Sequence, residues 1–72
     1  MRLLNRLKEA RLLKNLTQEN LAEAVGVTRQ TIIAIERGKF VPSARLALEL
    51  ARALGTPFEE LFWLEKGQGE SK

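Results

Sequence analysis

Apolar residues recur at helical spacing along most of the chain, and short polar stretches separate the runs. In the first run, Leu3, Leu7 and Ala10 fall on one face of a helix that we predict over residues 3–14. Asn15 follows, and asparagine tolerates the left-handed conformation that often ends a helix. The pattern therefore predicts a first amphipathic helix that stops at Asn15.

Two shorter helices, joined by a tight turn, are predicted next. Thr17 is a favourable N-cap for a second helix that extends to Val25. Asn20 stands where a capping box prefers Glu or Gln, so we expect that cap to be incomplete. Gly26 can supply the positive φ that a tight turn requires. The turn is therefore predicted at Gly26.

The third and fourth helices have clear capping signals. Thr28 is the predicted N-cap of the third helix, which ends near Arg37. Residues 39–42 are predicted to form a loop. Ser43 caps the fourth helix and Gly55 closes it. The apolar stripe of this helix consists of Leu46, Ala47, Leu50 and Leu54.

The last part of the chain predicts a short fifth helix followed by a polar tail. Thr56 and Glu59 have capping-box spacing, and Pro57 fits the first turn of a helix. This fifth helix is predicted to extend to about Leu64. The domain is therefore placed at residues 1–65, and the Gly-rich tail at residues 66–72 is expected to be disordered.

Residues 18–37 have the features of a helix-turn-helix. Ala22 provides the small residue that two steeply crossing helices need where their backbones meet, and Gly26 provides the turn. A helix-turn-helix places its second helix in the major groove of DNA. The fold class predicted is therefore all-α, with this motif inside it. The inner faces of its helices are predicted to bury Leu21, Val25, Val27, Ile32 and Ile35.

Composition limits the other possibilities. The chain has 72 residues and neither cysteine nor histidine. It therefore lacks the commonest general base and the commonest zinc ligands, and we expect no enzyme activity, metal or cofactor. A chain this short has no room for a separate small-molecule site. The N-terminus alternates Arg and Leu, and no apolar run is long enough for a membrane span, so a cytoplasmic protein is expected.

Charge is distributed unevenly along the chain. The formal net charge is +4 over residues 1–16, zero over residues 17–42 and −1 over residues 43–72. A basic surface beside an acidic one is typical of proteins that bind a polyanion. Solvated helix faces would give a similar distribution. Charge alone therefore leaves both interpretations open.

Three segments resemble a known family. RLKEAR, LTQENLAEAVGVTRQTIIAIERGK and LALELARALG are similar to the XRE family, the Cro- and lambda-repressor-like helix-turn-helix proteins. The resemblance covers residues 5–64, and it places the cap of the fifth helix at residue 57, one residue after the Thr56 that local capping signals favour. It implies a compact five-helix bundle that binds operator DNA as a homodimer and represses or activates transcription. A prokaryotic protein of the nucleoid is therefore expected, with double-stranded DNA as its partner.

The resemblance also implies which residues contact bases. Arg29 and Gln30 match the first exposed positions of the recognition helix. Arginine can bind guanine O6 and N7 through two hydrogen bonds, and glutamine can pair with adenine N6 and N7. Thr31 lies within reach of a base or could serve only the helix cap. Ala34 could contact a thymine methyl group or be only a helix former, and Arg29 and Gln30 could be ordinary exposed residues.

The contacts to the DNA backbone follow from the same resemblance. Gln18 resembles the family's phosphate-contacting glutamine, although it could be only a helix former. Arg11 and Glu36 match a pair that forms a salt bridge between the first and third helices. Lys39 could instead be a solubilising loop residue. The expected phosphate contacts are Gln18, Thr17, Arg37, Lys39, Arg6 and Arg11.

One apolar cluster near the C-terminus is a candidate dimer interface. Phe62, Trp63 and Leu64 are adjacent in the sequence and precede the polar tail. Reading two half-sites about 34–36 Å apart requires a symmetric dimer, and we predict that this cluster forms its interface. The alternative is that Phe62 and Trp63 close the core of the monomer.

Two other apolar residues leave alternatives open. Ile33 could contact thymine methyl groups or pack against a partner subunit, and Leu12 lies opposite the apolar stripe of its helix. Besides a DNA-binding regulator, a protein-interaction module on the same scaffold is possible, such as an antitoxin or a coactivator-like adaptor. That module would use a partner surface at Leu12 or Phe62 and would bind DNA weakly.

Overall fold

In the computed structural model, which describes residues 2–65, five helices pack together and two short strands pair beside them. All of the predicted helices are present, with changed ends. The polar tail predicted at residues 66–72 lies outside the described residues. The elements are β1 (Leu3–Asn5), α1 (Leu7–Leu13), α2 (Gln18–Val25), α3 (Arg29–Glu36), α4 (Ala44–Leu54), α5 (Phe58–Leu61) and β2 (Phe62–Leu64).

The two strands correct the all-α prediction. β1 and β2 pair antiparallel, with Leu4 opposite Trp63 and Asn5 opposite Phe62. Both segments were predicted as helix, at the start of the first helix and the end of the fifth. Helix propensity is a weak preference, and pairing between the two ends of the domain satisfies their backbone groups instead. The fold is therefore mostly helical with a small sheet.

The predicted caps of α2, α3 and α4 are present. The hydroxyl oxygens of Thr17, Thr28 and Ser43 each accept a hydrogen bond from a backbone N–H in the first turn of the following helix. The cap of α2 is complete, contrary to expectation: Asn20 Oδ1 accepts from the Thr17 backbone N–H at 3.5 Å. Asparagine carries the same amide oxygen as glutamine, and at this position it completes the box.

Of the two positions considered for the cap of the fifth helix, the structure shows residue 57 and not Thr56. Pro57 is the N-cap of α5, and the Thr56 hydroxyl donates instead to the Leu54 carbonyl at 3.2 Å.

At the ends of α2 and α4, Gly26 and Gly55 have φ values of 76° and 61°. These left-handed conformations favour glycine because it lacks a Cβ atom.

The core lies between the inner faces of the helices. Leu21, Ile32 and Ile35 are buried as predicted, whereas Val25 and Val27 are only partly buried at its edge. Burying a side chain of this size contributes about 1.5–3 kcal/mol to stability. No helix between residues 2 and 65 combines the length and apolarity needed to cross a membrane. The fully buried side chains are Leu7, Leu21, Ile32, Ile35, Leu50, Leu54 and Leu61.

Candidate nucleic-acid interface

The turn between α2 and α3 presents the start of α3 to solvent. Arg29 and Gln30 are exposed at its first two positions, and Thr31 and Ala34 are half-buried. The Thr28 and Thr31 hydroxyl oxygens lie 3.2 Å apart. Thr31 therefore takes part in the capping of α3, one of the two roles left open for it.

Gln18 connects the starts of α2 and α3. Its Nε2 donates to Glu36 Oε1 at 3.2 Å, and its Oε1 accepts from Arg29 Nε at 3.4 Å. The side-chain amide is therefore held between a carboxylate and the guanidinium that is predicted to contact a base. This arrangement restricts the positions that the exposed Arg29 side chain can take.

Arg11 and Glu36 form a buried ion pair that joins α1 to α3. Arg11 Nε lies 2.7 Å from Glu36 Oε2, and the two side chains are only 8% and 6% exposed. Arg11 Nη1 donates to the Leu16 carbonyl at 2.8 Å, and Nη2 faces Glu36 Oε1. The salt bridge implied by the family resemblance is therefore present. The Arg11 guanidinium is buried and already bonded, so the structural role expected of it is present, and its contact with phosphate stays a prediction.

A shallow concavity of about 360 Å³ opens where α1, α2 and α3 meet. Three of its lining side chains are cationic, and its one carboxylate is already paired with Arg11. The surface of the concavity is therefore positive and suited to a polyanion. Its lining residues are Lys8, Gln18, Arg29, Ile33, Glu36 and Arg37.

Comparison with known proteins agrees with this geometry. The family model described as helix-turn-helix matches residues 7–61, which include α1 through α5. The chain belongs to the XRE family of helix-turn-helix regulators.

Two relatives of this XRE protein match it over most of their length. An uncharacterized HTH-type transcriptional regulator of Methanocaldococcus jannaschii is 54% identical over 61 residues, covering 85% of this chain and 92% of that protein. The uncharacterized HTH-type regulator YgzD of Bacillus subtilis is 50% identical, covering 86% and 94%. The restriction-modification controller protein C.AhdI of Aeromonas hydrophila has a similar structure, with a TM-score of 0.72, 41% identity and coverage of 78% and 81%.

Two residues of this XRE protein have roles that were not predicted from the sequence. Lys8 lines the concavity, and its position three residues before Arg11 on α1 could have indicated it. Asn5 joins the sheet to the end of α3, because its Nδ2 donates to the Ile35 carbonyl at 2.9 Å. Its Oδ1 accepts from the Leu7 backbone N–H at 3.0 Å. An asparagine side chain often accepts from the backbone N–H two residues further on, a local signal that could have been recognised.

Besides Arg11, three predicted phosphate contacts lie outside the concavity lining. The Arg6 guanidinium carbon lies 4.9 Å from the centre of the Trp63 ring, a cation–π arrangement at the sheet. Lys39 is exposed just after α3, and the Thr17 hydroxyl is occupied as an N-cap. Contacts between these residues and phosphate stay predictions.

The predicted dimer cluster divides between core and surface. Phe62 is only 3% exposed and packs near Phe58, with their ring centroids 5.7 Å apart. Its inclusion in a dimer interface is wrong, because its side chain is already buried within the monomer. Trp63 and Leu64 are 36% and 60% exposed, so their surfaces are available to a partner. The burial of Phe62 also removes one of two partner sites considered for an interaction module, whereas Leu12 is exposed.

Proposed function

We propose that this XRE regulator binds a specific operator as a homodimer, with α3 in the major groove of each half-site. The observation that supports the proposal is the exposed pair Arg29–Gln30 at the start of α3, beside a positively charged concavity. Helix-turn-helix proteins contact bases from this end of the recognition helix. Binding of this kind requires no chemical step, metal or cofactor, and DNA would localise the protein to the nucleoid.

Base recognition is assigned to the exposed positions of α3. Arg29 would bind guanine O6 and N7, and Gln30 would pair with adenine N6 and N7. Gln18 supports the first assignment, since its amide oxygen accepts from Arg29 Nε and steadies the guanidinium. Thr31 and Ala34 would lie close to the bases, with Ala34 able to contact a thymine methyl group.

Phosphate binding is assigned to the cations that surround this helix. Arg37 and Lys8 line the concavity, and Lys39 is exposed in the loop after α3. The backbone N–H groups at the start of α2, next to Thr17 and Gln18, favour an anion through the helix dipole. These contacts would fix the orientation of the domain on the duplex without selecting a sequence.

A two-fold dimer is assigned to the exposed side chains of β2. Trp63 and Leu64 are adjacent apolar residues on the surface of a small domain. Burying them between two copies would remove apolar surface from water and set the spacing of the two α3 helices. Half-sites about 34–36 Å apart would then match the symmetry of the dimer.

Selection of bound sequences from a random pool of duplex DNA tests this function. We expect an enriched inverted repeat with its half-site centres about 10 base pairs apart, the spacing of one helical turn. In a separate experiment, sedimentation of the protein at micromolar concentration should show a dimer. A pool without enrichment would contradict sequence-specific binding, whereas a single enriched half-site with a monomeric protein would contradict only the dimer.

Arg29→Ala and Lys39→Ala should weaken binding to the selected site in different ways. Loss of the Arg29 side chain should cost about 1–3 kcal/mol and abolish the preference at one base pair of each half-site. Loss of Lys39 should weaken binding to all sequences about equally and reduce the slope of affinity against salt concentration. Fluorescence anisotropy with single-base variants at several salt concentrations measures both. Unchanged base preference in Arg29→Ala would contradict the assigned contact.

A further inference from the structure

Ile33 is an aliphatic side chain on a charged surface. It lines the concavity with Lys8, Arg29 and Arg37, and it is half-buried. The buried core and the partly buried apolar residues packed against it do not include Ile33. Stability of the core therefore does not explain an isoleucine at this position.

Ile33 shares its face of α3 with the residues assigned to DNA. At about 100° per residue, it lies one turn after Arg29 and one turn before Arg37. The core residues Ile32 and Ile35 are about 100° and 160° away around the helix axis. A duplex that contacts Arg29 and Arg37 would therefore also approach the side chain of Ile33.

The edges of the bases offer one kind of apolar partner in the major groove. The C5-methyl group of thymine is exposed there, and aliphatic side chains contact it. The same methyl group occurs on 5-methylcytosine. A branched aliphatic side chain between Arg29, which is assigned to a base, and Arg37, which is assigned to phosphate, matches that target in both shape and polarity.

We propose that Ile33 is a specificity residue that contacts the C5-methyl group of a pyrimidine, thymine in the natural site. The contacted base lies next to the guanine assigned to Arg29, because the two side chains are one helical turn apart. This assignment depends on the proposed binding of α3 in the major groove. It adds to that function an apolar contact beside the hydrogen bonds of Arg29 and Gln30.

A cycle that combines protein and DNA changes tests the contact. Each thymine of the selected site is replaced in turn by uracil, which removes only the methyl group. In each half-site, we expect one sensitive thymine. Its replacement by uracil should weaken binding of the parent protein about fourfold, the effect expected for one buried methyl group. Ile33→Ala should bind the thymine site more weakly than the parent protein does. The same variant should bind the thymine site and the uracil site with equal affinity. Ile33→Val should retain part of the discrimination.

Cytosine and 5-methylcytosine at the same position separate the methyl group from the rest of the base. The parent protein should prefer 5-methylcytosine to cytosine, and Ile33→Ala should not. Leu48→Ala, which truncates an exposed leucine on α4, is the matched control and should leave both preferences unchanged. Thermal unfolding of each variant confirms that it is folded under the binding conditions.

The outcomes distinguish this contact from the function on which it depends. If no sequence is selected from the pool, the proposed function fails together with the contact. If the selected site is bound with the Arg29 preference intact but Ile33→Ala responds to uracil as the parent does, only the contact is overturned. Loss of the uracil effect in Ala34→Gly, with Ile33→Ala unchanged, would likewise overturn it by assigning the methyl group to Ala34.

Discussion

Glu36→Ala is expected to destabilise the domain by about 3–5 kcal/mol, because it leaves the Arg11 guanidinium buried without its counter-charge. Arg11 is only 8% exposed, and two of its nitrogen atoms face the Glu36 carboxylate. A domain of this size has a total stability of about 4–11 kcal/mol. The variant should therefore lose about a quarter or more of the free energy of unfolding. Chemical denaturation followed by far-ultraviolet circular dichroism measures the loss.

A double variant separates the buried charge from the loss of contacts. Arg11→Met combined with Glu36→Leu removes both charges and fills similar volume, so it should be more stable than Glu36→Ala alone. The free energy of unfolding of the double variant should still be below that of the parent. The Leu16 carbonyl loses its donor on Arg11, and that loss costs about 1–3 kcal/mol. A double variant no more stable than the single one would contradict the buried-charge explanation.

The exposed pair Arg45–Glu49 on α4 provides a matched control. Arg45 Nε lies 3.2 Å from Glu49 Oε2, but the two side chains are 87% and 41% exposed. Solvent screening limits such a pair to about 0.5 kcal/mol. Glu49→Ala should therefore shift the denaturation midpoint only slightly. A shift as large as that of Glu36→Ala would mean that burial is not what makes the Arg11–Glu36 pair strong.

Local sequence signals predicted the helices, but not the sheet. Thr17, Thr28 and Ser43 each act on their own helix within one turn, so nearby residues suffice to identify these caps. The pairing of Leu3 with Leu64 depends on residues at opposite ends of the chain. Each strand has only 3 residues, too few for the alternation that identifies a strand. Helical patterns therefore extended too far at both ends.

Residues of the candidate site could be predicted from the sequence where their side chains project from their own helix into solvent. Arg29 and Gln30 are exposed at the start of α3, as the spacing of caps and apolar residues implied. The roles of Arg11 and Asn5 depend on what lies across the fold, and the sequence alone does not provide those distances. Arg11 is held by Glu36, 25 residues away, and Asn5 by the Ile35 carbonyl, 30 residues away. The family resemblance supplied the Arg11–Glu36 pair, whereas the role of Asn5 emerged only from the packed helices.

Leu50→Asp is expected to leave the chain unfolded at room temperature. Leu50 is fully buried on the inner face of α4, and the core cluster within residues 2–65 consists of apolar side chains, which offer a carboxylate no opposite charge. The substitution removes the burial energy of a leucine, and truncation alone at such a site costs about 2–5 kcal/mol. An unpaired buried charge adds several kcal/mol, and the sum approaches or exceeds the total stability of about 4–11 kcal/mol.

Leu48→Asp is the control for this variant, because it makes the same chemical change on the same helix. Leu48 is 58% exposed, so its aspartate would remain solvated and should alter stability by no more than about 0.5 kcal/mol. Circular dichroism should show helical signal and a cooperative thermal transition for Leu48→Asp and neither for Leu50→Asp. A cooperative transition for Leu50→Asp near that of the parent would show that the inner face of α4 is not part of the core.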